Sequence, residues 1–211
     1  MMRNYFKHII FDFDGTIANS MRLAIDLFNQ TAPKYKFKTI NEQSFEYLYE
    51  LSIMEKCKAL NVSLACIPRA AIDLQRSYSR QVGDIPIIAG MREVILALDQ
   101  LGYTLSIISS NAGENIKKFL INNDINIFDH IYSGRNPFGK DKTIGSFIKK
   151  NNIQKGDVVY IGDEVRDIVA CRANNIKIIA VTWGGYDSLK MLRKASPDFL
   201  VNDPGEIISI I

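Results

Sequence analysis

The sequence predicts an α/β fold, a doubly wound parallel sheet with an inserted all-α domain. Three observations predict it. Short, near-continuous apolar runs recur along the chain, as strands buried on both faces require. Between them lie segments whose apolar residues recur at offsets of three and four, the period of an amphipathic helix. One long block, between the first apolar run and the second, carries helical spacing and almost no strand-like run.

The elements follow in order. The run 6–11 is Ile-rich and ends in Asp12-Phe13-Asp14-Gly15-Thr16, a buried strand and its exit turn. From about Asn19 to Val82 the texture is helical. Leu23, Leu27 and Phe28 share one face, and Phe45, Leu48 and Tyr49 another. Ile53, Cys57 and Leu60 share a third with Lys56 at its edge, and 70–79 has the polar content of an exposed helix. Residues 85–90 form a Pro/Gly-punctuated joint. Met91, Val94, Ile95, Leu98 and Leu101 then mark a helix that Gly102 stops. A strand at 103–108 runs into Ser109-Ser110-Asn111, and Ile116, Phe119 and Leu120 mark the next helix. A short strand at 127–132 precedes a helix marked by Ile144, Phe147 and Ile148. The strand 158–161 ends in Gly162-Asp163-Glu164, with a helix through Cys171. The strand 178–182, the turn Trp183-Gly184-Gly185, a helix around 189–192, a strand at 199–201 and a helix from Pro204 complete the chain. The early helical block is too long for a crossover helix. It reads as a cap at 17–86, inserted into a core made of 1–16 and 87–211.

Composition narrows the chemistry. The chain has 211 residues, 47% of them hydrophobic. A domain of that size buries roughly 70% of its unfolded surface and needs neither disulfide nor zinc to fold. A net charge of +3 is too small and dispersed to argue for nucleic acid. Two histidines, His8 and His130, leave little room for a histidine-based triad or a multi-histidine metal site. Cys57, Cys66 and Cys171 form no CxxC pair and read as reduced thiols in a cytoplasm. No run approaches about 18 apolar residues, so no membrane span is expected, and the apolar stretch before Asp12 is too short for a signal peptide. The chemistry is left to carboxylates, hydroxyls and lysines.

In an open parallel sheet, ligands bind beyond the carboxyl ends of the strands, and the polar clusters fall there. Asp12 and Asp14 follow the first strand; residues two apart on an extended chain point to the same side. One can serve as nucleophile and the other as proton donor, while Gly15 lets the backbone turn. The bland alternative is a turn that ends a strand. Asp163 and Asp167, four apart, fall on one side of a starting helical turn; alternatively Asp163 is simply an N-cap. Close carboxylates repel each other unless a cation sits between them, and an oxygen-only set suits Mg²⁺. Ser110 and Asn111 can donate to a phosphate oxygen, or Ser109-Ser110-Asn111 caps the next helix. Lys140 or Lys142, preceding a helix, offers such a group a positive charge, or is solvated surface.

These residues carry a resemblance. The segments 11–17, 105–111, Gly139-Lys140 and 160–167 resemble, in order, the motifs of haloacid-dehalogenase-superfamily phosphatases, near the phosphoglycolate-phosphatase-like group. The helical block resembles that group's small α-helical cap. The prolines usual after the lysine are absent, which leaves Lys140 and Lys142 both open, with Gly139 favouring Lys140. The resemblance implies that Asp12 attacks phosphorus and that Asp14 acts as acid and then base. It implies Mg²⁺ on the Asp12 carboxylate, the Asp14 backbone carbonyl and Asp163, with Asp167 in support. Ser110 and Lys140 would hold the phosphoryl oxygens, and Thr16 would brace the first loop. The expected substrate is a small phosphorylated metabolite, phosphoglycolate-like or a sugar phosphate. Asn19, Arg22, Arg69, Arg76 and the turn 183–186 are candidates for selecting it.

Three other readings share some of these residues. A signalling receiver domain has an acidic pocket and a lysine, but it is shorter, lacks a helical insert and carries its phosphoacceptor after a mid-sheet strand. A phosphosugar mutase of the same superfamily would use the same residues and return the phosphoryl group to sugar. A catalytically silent binding protein would keep the fold alone.

Overall fold

A computed structural model describes residues 6–134 and 139–211. Strand β1 (His8–Phe11) is followed by four helices, α1 (Met21–Tyr35), α2 (Glu42–Tyr49), α3 (Ile53–Ala59) and α4 (Ile67–Gln81). Helix α5 (Met91–Gln100) leads into β2 (Thr104–Ser109), α6 (Gly113–Asn122) and β3 (His130–Ser133). Then come α7 (Lys140–Lys150), β4 (Val158–Gly162), α8 (Val165–Asn174) and β5 (Lys177–Val181). The chain ends with α9 (Leu189–Ala195), β6 (Phe199–Val201) and α10 (Glu206–Ile210).

The strands form one sheet in the order β3-β2-β1-β4-β5-β6, and every pairing is parallel. Alternation along each strand sends side chains to two cores. Ile9 and Phe11 of β1 join Met91, Ile95, Ile116 and Phe119 from α5 and α6. Ile10 joins Ile144, Phe147, Ile168 and Leu192 from α7, α8 and α9. Helices therefore cover both faces, which is why the strands read as unbroken apolar runs. Each fully buried Ile or Phe contributes about 1.5–3 kcal/mol.

The chain builds outward from β1 to β3, then returns to place β4 on the other side of β1, so the direction of winding reverses between β1 and β4. Such a reversal leaves a crevice at the carboxyl ends of the two strands. The register keeps those ends level: Phe11 pairs with Ile107 and with Ile161. The four-helix block leaves and rejoins the rest through two paired segments, Asn19 N donating to Pro86 O at 2.9 Å and Ile88 N to Ile17 O at 2.9 Å.

Three local expectations need correction. The third strand begins at His130, not 127. Asp129 occupies the approach instead, its carboxylate accepting from Leu105 N at 3.0 Å while its own N–H donates to Leu105 O at 2.9 Å. Helix α4 is not simply an exposed helix: Ala70 is buried and Tyr78 packs against the main core. Ile53, placed by periodicity on a buried face, is 41% exposed at the start of α3.

Candidate active site

Asp12 continues β1 by one residue, its N–H donating to Ile161 O at 2.8 Å. Its carboxylate accepts from Phe13 N at 2.8 Å and from Lys140 Nζ at 2.7 Å. Lys140 also donates to Asp167 Oδ1 at 2.5 Å, so one buried ammonium bridges two buried carboxylates. Burial opposes the charge on Lys140, but Asp12 and Asp167 outweigh it and hold the amine above the ordinary lysine range. Both lysines were expected ahead of the helix. Instead Lys140 is the first residue of α7 and Lys142 lies within it, exposed. The structure brings Lys140, not Lys142, to Asp12.

The side-chain oxygens of Asp12, Asp163 and Asp167 lie within 4.8 Å of one another, all buried. Asp163 accepts from Thr16 Oγ1 at 3.3 Å through Oδ1, whereas its buried Oδ2 has no hydrogen-bond partner. Two glycines make room for that oxygen. A Cβ on Gly15 would sit 2.3 Å from it and one on Gly184 2.0 Å from it, and Gly15 also adopts φ +75°. Burial, then the charges of Glu164, Asp12 and Asp167, push the Asp163 carboxyl well above the usual range. Burial likewise raises Asp167, although Lys140 pulls the other way. A buried oxygen-only cluster with an orphaned carboxylate oxygen and one ammonium against three acids fits a hard divalent cation. The N-cap of α8 is Glu164, not Asp163. Glu164 N donates to Asp167 Oδ2 at 3.3 Å in a reciprocal capping box, which leaves Asp163 free of the helix and turned to the acidic cluster.

Asp14 stands outside that cluster. Its Oδ1 accepts from Tyr78 Oη at 2.6 Å and its Oδ2 from Asn111 Nδ2 at 2.9 Å. Burial raises the Asp14 carboxyl above its ordinary value against the pull of these hydrogen bonds. Asn111 does not cap α6, whose N-cap is Ala112. Its Oδ1 instead accepts from Ala112 N at 2.8 Å and Asn115 Nδ2 at 2.9 Å, which fixes its amide toward Asp14. Asp14, Ser110, Asn111 and Tyr78 line a cavity of about 340 Å³, with Leu27 and Leu74 of the helical block opposite.

The chain matches the haloacid dehalogenase-like hydrolase family over residues 9–181. It belongs to that family. A phosphoglycolate phosphatase of Synechococcus elongatus is 28% identical over 208 residues, 96% of each chain. A pyrophosphatase, PpaX, of Listeria monocytogenes is 24% identical over 96% of this chain and 95% of its own. A haloacid dehalogenase-like hydrolase from Streptococcus pneumoniae superposes with a TM-score of 0.81 at 20% identity, covering 98% of each chain, which is a likeness of fold. Among the described residues, no helix of this haloacid dehalogenase-like hydrolase is long and apolar enough to cross a membrane.

Among the residues named for substrate selection, Asn19, Arg22, Arg69 and Arg76 are exposed and do not line the hydrolase's 340 Å³ cavity. Tyr186 does line it, with its hydroxyl 3.0 Å from Ser20 Oγ, and Trp183 Nε1 donates to Thr16 O at 3.2 Å. Three residues escaped the sequence reading. Tyr78 could have been found, since Ala71, Leu74 and Tyr78 recur at offsets of three and four within α4. Arg166, paired with Glu164 at 2.5 Å, borders the cavity from α8, and only its place in the 160–167 segment signalled it. Lys56 of α3 reaches Tyr186 O at 2.7 Å and Asp187 Oδ1 at 3.2 Å, a link between helical block and core with no local sequence signal.

Proposed function

We propose that this hydrolase is a Mg²⁺-dependent phosphomonoesterase acting on a small phosphorylated metabolite, phosphoglycolate-like or a sugar phosphate, by way of an aspartyl-phosphate on Asp12. The observation that carries this reading is the pairing of Asp12 with Lys140 beside the orphaned Oδ2 of Asp163, while Asp14 is held apart with its carboxyl raised. Phosphatase-named relatives over nearly the whole chain support it.

Asp12 attacks phosphorus; the bond to the leaving oxygen breaks, and that oxygen takes a proton from Asp14. Water then attacks phosphorus and passes a proton to Asp14, the bond to Asp12 breaks, and phosphate leaves with both aspartates restored. Lys140 and Ser110 hold phosphoryl oxygens, and Asn111 keeps Asp14 in place. Thr16 orients Asp163 through its hydroxyl. The carboxylates of Asp12 and Asp163 and the Asp14 backbone carbonyl, with Asp167 in support, would hold Mg²⁺, which would supply positive charge against the phosphoryl oxygens. A carboxyl raised by burial, as Asp14 is, stays protonated to a higher pH, as a donor must. The block 17–86 acts as a cap over this site and chooses the substrate, and the enzyme works in a cytoplasm.

The test is phosphate release from p-nitrophenyl phosphate, phosphoglycolate, hexose phosphates and inorganic pyrophosphate, with Mg²⁺ and with excess chelator. The expected result is turnover that chelator abolishes. Full activity in chelator overturns the reading, and an isomerised sugar phosphate with little free phosphate replaces it by the mutase.

A further inference from the structure

The contact between Tyr78 and Asp14 joins two parts of the molecule that sequence keeps 64 residues apart. Asp14 lies on the exit from β1, whereas Tyr78 lies near the end of α4. We propose that Tyr78 is a positioning residue that aims the Asp14 carboxyl for proton transfer to the leaving group. By this means the inserted helices, when seated on the core, complete the acid. The proposal rests on the reading of Asp14 as acid and base given above.

The geometry carries it. A carboxyl group on a short side chain rotates about two bonds, and a single hydrogen bond leaves it free to swing. Here each oxygen has its own donor, Tyr78 Oη on Oδ1 at 2.6 Å and Asn111 Nδ2 on Oδ2 at 2.9 Å. The Asn111 donor is rigid, because its Oδ1 is itself held by Ala112 N and Asn115 Nδ2. Two donors on opposite oxygens fix the plane of the carboxyl, and the second exists only where α4 meets the core. The ring of Tyr78 packs against the main core, which a phenylalanine would do equally well. The hydroxyl is the part that packing does not explain, and a tyrosine hydroxyl this close to a core is there for its partner. The same four groups that line the 340 Å³ cavity, Asp14, Tyr78, Ser110 and Asn111, leave the fixed carboxyl bordering the space a leaving group would enter.

A role through Asp14 leaves a signature that a packing role does not. Leaving groups of low pKa depart without a proton, whereas alkyl alcohols need one. For a mechanism with a covalent intermediate, kcat/KM reports the steps up to leaving-group departure. In Tyr78→Phe, kcat/KM should fall on the order of 10-fold or more for an alkyl phosphate such as glycerol 2-phosphate. It should change less than about 3-fold for 2,4-dinitrophenyl phosphate, whose phenolate needs no acid. Retained turnover of the dinitrophenyl ester reports that the variant is folded and that its nucleophile works. Because Asp14 also takes the proton from water in the second half, a burst of dinitrophenolate should appear in the variant. An equal fall on both esters, no change on either, or a gain on either overturns the proposal, since each moves Tyr78 from aiming the acid to cap packing or to restraint. If the unchanged enzyme releases phosphate from neither ester nor from phosphoglycolate or the hexose phosphates, the phosphatase reading itself fails, a result separable from the others.

Discussion

The ammonium of Lys140 lies 2.7 Å from the Asp12 carboxylate, and the two side chains are only 5% and 3% exposed. A buried pair recovers its desolvation cost only while both partners are present, and removing one typically costs about 3–5 kcal/mol. Lys140→Met leaves Asp12, Asp163 and Asp167 packed together with no cation. We expect that variant to lose stability of that order at pH 7 in thermal or urea unfolding, with Mg²⁺ restoring part of it. Phosphate release should fall on the order of 10²-fold or more even with Mg²⁺, because the phosphoryl oxygens lose a fixed charge.

Asp12→Asn should behave differently. The amide keeps the shape and Lys140 keeps Asp167, so the melting temperature should move by only a few degrees. Activity on p-nitrophenyl phosphate should drop on the order of 10³-fold or more, because a nucleophile has no substitute. A variant that keeps its activity would sink the assignment of Asp12.

The acidic cluster makes the metal-free protein sensitive to pH in a direction opposite to the usual aspartate. Burial raises Asp163 and Asp167 above the ordinary 3.8. A raised carboxyl binds its proton more tightly in the folded state, so stability is full below the unfolded pKa and declines as pH rises through the folded one. In chelator, therefore, stability should fall between about pH 4 and neutrality, and Mg²⁺ should flatten the decline by taking the place of the protons. Calorimetric titration of Mg²⁺ in buffers of different ionisation enthalpy should show protons released on binding. A buffer-independent enthalpy at pH 6 would contradict the raised carboxyls.

Gly184 is predicted to accept no side chain. A Cβ there would lie 2.0 Å from Asp163 Oδ2, 2.4 Å from its Cγ and 2.5 Å from its Cβ, so the whole side chain would have to shift. Gly184→Ala should lower stability by about 1–3 kcal/mol, the cost of overpacking. It should also weaken Mg²⁺ binding, measured by the Mg²⁺ dependence of phosphate release. Gly156→Ala, where a Cβ meets nothing within 4 Å, serves as the comparison.

Much of the fold was legible because β1, β2, β4 and β5 are buried on both faces, and burial on both faces writes itself as an unbroken apolar run. Edge strand β3 was misplaced at its start because a side-chain bond from Asp129 stands in for a ladder bond there, and sequence periodicity does not register side-chain substitution of backbone. Asp12, Asp14, Asp163 and Lys140 were legible because each sits at a strand end or helix start, where topology does the gathering. The helical face that carries Tyr78 was legible, but the partners of Tyr78 and Lys56 were not, since they are fixed by how the four helices lie on the sheet, a relation between surfaces distant in sequence. That Lys140 rather than Lys142 reaches Asp12 follows from helix phase: two residues on, the side chain points some 200° away around the axis, which roughly reverses inside and outside.

The strand that leads into Asp12 is made long before either of its neighbours. β1 finds its neighbours at Thr104 and Val158, so it leaves the ribosome with no partner strand in existence. At typical synthesis rates of about 5–20 residues per second, the second neighbour follows after roughly ten seconds or more. Until β2 is made an Ile-rich strand stands open on both sides, and until β4 is made on one, the kind of surface that recruits chaperones or wrong partners. The four helices that follow β1 are made before either neighbour strand, and α1 packs on α4 within the block itself. The chain order therefore makes the inserted helical block the first structure the central strand can meet.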